Sequence, residues 1–266
     1  MIMDGRAVAK TVVAEIATTV LSWPIAPHLT IFTCAPNFET KKFLNLKQKW
    51  AKEAGITVTL VTFPETVTLE EVGMAVLAAT KQSDSVIIQF PFPHLATADL
   101  IPLVPVSHDV DVMQYDGGAT TILPPVVGAI DVLSAAYHIK WAEKSVAIVG
   151  NGRLVGRPMS LYAKKQGAHV TVITKDTPDS LALSQADIVV LGAGVPGLLL
   201  ASMVKPGVVV FDAGTTEEGG QLVGDADPQI DTIASLWTPV PGGIGPITVA
   251  VLLKNVLSLA TARRQY

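Results

Sequence analysis

The chain has 266 residues, 49% of them hydrophobic and 16% charged, with a formal net charge of −4. That length suits one large core or two smaller ones, and mild acidity with scattered Lys and Arg leaves no footprint for nucleic acid or an anionic membrane. A single cysteine, Cys34, excludes an internal disulfide framework, and the five histidines show no metal-ligand spacing.

Asp4, Arg6, Lys10 and Glu15 interrupt any apolar leader near the start, and no apolar run reaches the roughly 18–20 residues of a membrane span. The expectation is a cytoplasmic protein that spans no membrane. Asp4 is placed to cap a helix in which Val8, Val12 and Ile16 recur at helical period. His28 to Cys34 has the pattern of a short buried strand. Thr40 to Ala54 predicts a lysine-rich helix that Gly55 ends. Ile56 to Thr62 follows as a strand, Thr68 to Lys81 as a helix with Thr68 at its N-cap, and Ser85 to Gln89 as a third strand. This β-α-β-α-β order calls for a parallel sheet with helices on its faces.

A second series begins near residue 126. It predicts a helix from Val126 to Tyr137, a strand from Ser145 to Val149 and a helix from Pro158 to Gln166. Strands follow at His169 to Ile173, Ile188 to Leu191 and Val208 to Phe211. The fold class is therefore α/β, in two units with a boundary near residue 120. A last helix, Thr248 to Arg264, suits either unit.

The strand ending at Val149 runs into G-N-G-R-L-V-G-R-P, which puts Gly150, Gly152 and Gly156 between a strand and a helix. Glycines there let backbone N–H groups approach a pyrophosphate at a helix N-terminus. The spacing is one residue longer than the usual dinucleotide fingerprint, and a bare strand-helix turn is the alternative, but the strand and helix fall where the fingerprint needs them. Beyond the next strand stand Thr174, Lys175 and Asp176. Lys175 with Arg153 suits the 2′-phosphate of NADP, whereas Asp176 suits the 2′-hydroxyl of NAD. The balance leans to NADP, with a solvated Lys175 as the alternative.

Several segments together resemble one family. They are D-G-R-A-V-A from Asp4, Q-F-P-F-P from Gln89, D-V-D from Asp109, and the loop from Gly150 to Pro158. Ala186-Asp187-Ile188 with Gly194 to Gly197, V-K-P-G from Val204 and L-V-G-D-A-D from Leu222 follow in order. The most specific is P-V-P-G-G-I-G-P-I-T-V-A, which starts at Pro239. The chain resembles the bifunctional methylenetetrahydrofolate dehydrogenase/methenyltetrahydrofolate cyclohydrolases.

The resemblance implies two α/β domains around a cleft: a folate-binding catalytic domain over residues 1–120, with the C-terminal helix 248–266 packed back on it, and a Rossmann-type NAD(P) domain over 121–247. It implies a homodimer. Phe43-Leu44-Asn45-Leu46-Lys47 matches the family's Y-V-x-x-K, so Lys47 stands where the central cyclohydrolase lysine would, activating water or handling the N10 proton. Lys41, Lys42 and Lys49 are candidate cationic neighbours that would lower its pKa. Gln89 would assist it, and Asp111 would bind the pterin through its amino-pyrimidinone edge. Without the resemblance, Lys47 is one charge on a solvated helix and Asp111 a loop cap.

Substrate contacts are implied for Phe43, Pro241, Gly242, Gly243 and Thr248. Cofactor contacts are implied for Gly150, Asn151, Gly152, Arg153, Val155, Gly156, Thr174, Lys175, Gly194, Pro196, Gly214 and Ile244. Gly242, Gly243 and Gly245 would let main chain lie against a flat ring where a Cβ would collide. The departures are Phe43 for Tyr, His108 for the Lys before D-V-D, Val112 for the Gly after it, and Asn151-Gly152 for Arg-Ser. Rival readings are a divergent member with one activity, another two-domain dehydrogenase of shikimate or amino-acid type, and a non-catalytic folate or nucleotide binder.

Overall fold

The computed structural model describes residues 1–118 and 122–264, and the chain divides into two compact units. The boundary expected near residue 120 lies beside 119–121, outside the described residues. One unit holds residues 10–114, 122–125 and 249–264; the other holds 1–9, 115–118 and 126–248. The opening residues thus group with 126–248, not with the segment that follows them.

The first unit is built on a three-stranded parallel sheet. Its order is β2 (Thr57–Phe63), β1 (His28–Cys34), β3 (Ser85–Gln89). β1 lies between the others and is buried along almost its whole length, whereas the edge strand β2 is mostly half-exposed or exposed. Phe32, Cys34, Val72, Val76, Val86 and Ile88 share one core cluster. Helix α1 (Gly5–Val20) starts where the Asp4 carboxylate accepts the N–H groups of Arg6 and Ala7, both at 3.0 Å. Helix α2 (Phe38–Glu53) begins two residues before Thr40, because Asn37 is the true N-cap and accepts the Thr40 N–H. Gly55, at φ 73°, closes that end as expected. Helix α3 (Leu69–Ala79) opens with a full capping box between Thr68 and Glu71. A short helix, α4 (Thr97–Leu100), was not foreseen.

The second unit carries five parallel strands. Their order is β10 (Leu236–Trp237), β7 (Val209–Asp212), β6 (Ile188–Leu191), β4 (Ser145–Val149), β5 (His169–Ile173). Helices α5 (Pro125–Ala136), α6 (Gly156–Lys165) and α7 (Ser180–Gln185) and the hairpin β8 (Thr216–Glu218)–β9 (Gln221–Val223) complete it. The hairpin, α7 and β10 escaped the sequence reading because two to six residues carry too little periodicity. Residues 1–3 run beside β10: Ile2 bridges Trp237, and the Met3 N–H donates to the Trp237 carbonyl at 2.8 Å.

The last helix, α8 (Ile244–Arg264), starts at Ile244 and not at Thr248. Pro246 fits its first turn, where the missing N–H would have had no helical partner. Thr248 sits one turn inside, its hydroxyl donating to the Ile244 carbonyl at 3.1 Å. An 18-residue window of α8 reaches a mean hydropathy of 1.6, enough for a membrane span by composition. Its apolar residues have another use: 61% of that window is buried, including Leu252, Leu253 and Val256.

Candidate active site

In an open parallel sheet, ligands bind beyond the carboxyl ends of the strands, where the strand order reverses. In the three-stranded unit that point lies between β1 and β3. The chain leaves β1 into α2, which carries Lys47, and β3 ends on Gln89. Lys47 Nζ donates to Gln89 Oε1 at 2.6 Å. The lysine is only 7% exposed, while the other lysines of this helix lie at the surface. Burial pushes its ammonium below the ordinary lysine range, and the Asp111 carboxylate opposes the shift. The expected cationic neighbours do not contribute: Lys42 rests over the Phe38 ring at 4.1 Å, and Lys41 and Lys49 point to solvent. Desolvation does the work that charge repulsion was expected to do.

Asp111 arrives on a segment held to β3. Asp109 bridges Val86, and the Val86 N–H donates to the His108 carbonyl at 2.8 Å. The Asp109 carboxylate accepts the N–H groups of Asp111 at 3.1 Å and Met113 at 2.8 Å, so Asp109 is the residue that caps this loop. Val112 is forced to φ +51°, a region that a β-branched side chain rarely adopts and where the family motif has glycine. A cavity lined by Val86, Ile88, Phe90, Ile101 and Val104 receives both aspartates. Burial and mutual repulsion raise Asp109 to about 6, and burial raises Asp111 against the pull of Lys47. From the far side, the buried Asn255 amide donates to the carbonyls of Val110 and Leu123, both at 2.9 Å. Phe43 lies half-buried one turn before Lys47. The structure therefore brings Lys47, Gln89 and Asp111 into one group: a depressed amine, a neutral amide and a carboxylate.

The second set of expected residues lies in the five-stranded unit. Its strand order reverses between β4 and β6, and the loops after those strands are 150–156 and 192–197. Gly150 has φ +99°, and a Cβ on it would stand 2.7 Å from the Gly192 carbonyl oxygen. A Cβ on Gly156 would stand 2.0 Å from the Gly150 oxygen, so the helix start presses directly on the turn. Those two glycines have steric reasons; Gly152 has only open contact, its nearest neighbour at 4.0 Å. Asn151, Gly152 and Arg153 are exposed, Val155 is buried, and the cradle of bare backbone at the start of α6 fits a pyrophosphate. Thr174 turns back through its hydroxyl to that of Thr177 at 2.8 Å, leaving Lys175 and Asp176 exposed side by side.

Two further residues here were missed by sequence reasoning: Asp212 at the end of β7 and Asp225 after the hairpin. Both are buried. Asp225 accepts the N–H groups of Ala193 at 2.7 Å, Gly194 at 3.1 Å and Val195 at 2.8 Å. Asp212 accepts those of Gly214 at 2.9 Å, Asp225 at 3.2 Å and Ala226 at 2.8 Å. Burial raises Asp212 to about 6 in spite of those bonds. Gly214, expected at the cofactor, has an internal reason to be bare: a Cβ would stand 2.2 Å from the Asp225 carboxylate. The available signal for Asp225 was the run L-V-G-D-A-D, whose second acid is Asp227; Asp212 had only its place at the end of the apolar run V-V-V-F.

The Pro/Gly segment folds on itself. The Gly243 N–H donates to the Pro239 carbonyl at 2.8 Å, and a Cβ on Gly243 would stand 2.6 Å from Thr238 Cβ. Gly5 packs on the same turn, where its Cβ would meet the Gly243 oxygen at 1.8 Å. Pro241 is exposed after a cis Val240–Pro241 bond, Gly242 has φ +115°, and Ile244 is buried. Gly194 is exposed and Pro196 half-buried. Among the described residues no three His, Cys, Asp or Glu side chains gather as a metal set.

Comparison with known proteins gives two family matches. Residues 3–111 match the tetrahydrofolate dehydrogenase/cyclohydrolase catalytic domain, and residues 124–264 match the NAD(P)-binding domain of the same description. The bifunctional protein FolD of Mycoplasmopsis synoviae is 32% identical over 97% of this chain and 99% of its own. The crystal structure of a bifunctional FolD from Campylobacter jejuni superposes with a TM-score of 0.93 at 30% identity, covering 99% of each chain. A methylenetetrahydrofolate dehydrogenase-cyclohydrolase from Trypanosoma brucei, complexed with NADP cofactor and inhibitor, gives 0.93 at 28% identity over 100% of this chain and 99% of that one.

Proposed function

The chain belongs to the tetrahydrofolate dehydrogenase/cyclohydrolase family, and from that membership we propose that it oxidises 5,10-methylenetetrahydrofolate with NADP and hydrolyses the methenyl product to 10-formyltetrahydrofolate, within one-carbon metabolism. The observation that carries the hydrolytic half is the bond between Lys47 Nζ and Gln89 Oε1 at 2.6 Å, with a lysine whose charge is disfavoured by burial. We assign folate chemistry to the three-stranded unit and dinucleotide binding to the five-stranded one. The reading includes a cytoplasmic location and a homodimer, and sedimentation of the purified protein would test the dimer.

Bound NADP would supply the hydride acceptor for the methylene carbon. This chain's part is to hold it: bare backbone at Gly150 and Gly156 for the pyrophosphate, with Arg153 and Lys175 free to meet a 2′-phosphate. In the hydrolysis, water adds to the methenyl carbon and gives up one proton to the Lys47 amine. The second water proton ends on N5 as the C–N5 bond breaks, leaving the formyl group on N10. Gln89 keeps the amine aimed, through an oxygen that accepts only from its N–H. Asp111 has a double role: it accepts from the pterin edge, and its charge keeps the amine from falling too far to be re-protonated.

Purified protein is mixed with methylenetetrahydrofolate and NADP while methenyl absorbance is followed. A signal is expected, and none would end the dehydrogenase reading. With methenyltetrahydrofolate supplied directly, Lys47→Ala should lose hydrolysis by about 100-fold or more, the usual weight of a general base. In wild type the rate should rise with pH through a midpoint below that of ordinary lysine, because the neutral amine is the active form. An unchanged rate in the variant would remove Lys47 from the mechanism.

A further inference from the structure

We propose that Asp225 is a positioning residue for dinucleotide binding: its carboxylate fixes the loop after β6 against the phosphate-binding loop after β4. The inference rests on the reading above and deepens its dehydrogenase half.

The carboxylate of Asp225 accepts three consecutive N–H groups, those of Ala193, Gly194 and Val195, at 2.7, 3.1 and 2.8 Å. Those three residues are exposed, and Gly194 is at φ +68°. Besides these bonds they have only the Thr216 hydroxyl on the Gly194 carbonyl at 3.2 Å and the Leu198 N–H on the Val195 carbonyl at 3.3 Å among the described hydrogen bonds. Three N–H groups pointing one way form a concavity that attracts an anion. Here the protein's own carboxylate fills it, which leaves the Gly150–Gly156 turn as the cradle open to a pyrophosphate.

The same loop begins with Gly192, which stands where position matters. A Cβ on Gly150 would lie 2.7 Å from the Gly192 oxygen, and a Cβ on Gly192 would lie 2.5 Å from Val155 Cγ1. A shift of the 192–195 loop by one ångström would therefore move the turn that holds the phosphates. Asp225 is in turn held by Asp212, which accepts the Asp225 N–H at 3.2 Å, and Asp212 by Thr238, whose hydroxyl accepts the Asp212 N–H at 2.7 Å.

Stability does not explain this arrangement. Two carboxylates are buried side by side, and among the described residues neither has an ion-pair partner. Burying a charge on backbone N–H groups alone is costly compared with an apolar filling. Geometry is what the site gains.

The test uses the full chain and both activities, since methenyl hydrolysis consumes no dinucleotide. Asp225→Asn keeps the size but sets an NH2 against one of the three N–H donors. The KM for NADP should rise about tenfold or more, with kcat at saturating NADP and the hydrolysis rate both within about twofold of wild type. A merely structural role would lower both activities together and leave the NADP KM alone, and either result would overturn the proposal. If the variant does not fold, hydrogen exchange in wild type decides. The amides of 193–195 should exchange slowly although exposed, and more slowly with NADP; exchange at free-loop rates would overturn it. Absence of dehydrogenase activity in wild type would instead count against the functional reading itself.

Discussion

His108 shows how one substitution reshapes its surroundings. Its ring is buried, with Nε2 3.1 Å from the Thr80 carbonyl and Nδ1 3.0 Å from the Ser107 hydroxyl. Burial, with the Arg263 guanidinium nearby, pushes the imidazole down to about 4 from an ordinary value of 6.5. The family's lysine at this point would place a second cation beside Arg263, so a neutral ring is the compatible choice. The sign for stability follows from linkage. Between pH 6.5 and 4 the unfolded chain takes up a proton that the folded chain refuses, so this contribution is lost as pH falls. The full span is worth about 3 kcal/mol at most. His108→Gln should therefore show a smaller drop in urea midpoint from pH 7 to pH 5 than wild type. An equal drop would mean that the slope comes from other groups. Asp109 and Asp212, both raised to about 6, act in the opposite sense, since the folded state binds their protons first.

At the scale of elements, the helix starts decide where chemistry sits. Most strands and long helices were legible in the sequence, because period and length agree there: β1, β3, β4, β5 and β6 lie where the pattern put them. Three helix starts were displaced by two residues or more, and each for a reason local to the first turn. Asn37 caps α2 earlier than Thr40 suggests, Gly156 opens α6 ahead of Pro158, and Ile244 opens α8 ahead of Thr248. The group of Lys47, Gln89 and Asp111 was reached through motif resemblance, since one lysine on a lysine-rich helix gives no sign of being the buried one. The roles of Asp212 and Asp225 were illegible because their partners are main-chain N–H groups, which carry no letter. The start of α6 offers a direct test. Gly156→Ala would put a Cβ 2.0 Å from the Gly150 oxygen and force the helix outward. The KM for NADP should rise about tenfold, while methenyl hydrolysis keeps its wild-type rate.

For the whole molecule, neither compact unit is one continuous stretch of chain. The three-stranded unit is completed by residues 249–264, and the five-stranded one by residues 1–9. Leu253, fully buried in α8, should therefore matter to the unit that holds Lys47 although more than 200 positions separate them. Leu253→Ala should cost about 2–5 kcal/mol by leaving a cavity. In rising urea, hydrolysis should fail in that variant before NADP binding does. Simultaneous failure would show that the two units unfold as one.

The placement of α8 also bears on how the chain is born. A ribosome delivers residues in order, and domains generally fold as they emerge. The strands and helices around Lys47 are finished early, yet residues 249–264, which complete their unit, are made only after all of 126–248. Until then that half of the protein waits with its apolar face uncovered, and a cell under heat stress should find its nascent form a client for chaperones. The other half, which combines the opening nine residues, 115–118 and the continuous run 126–248, has no such delay.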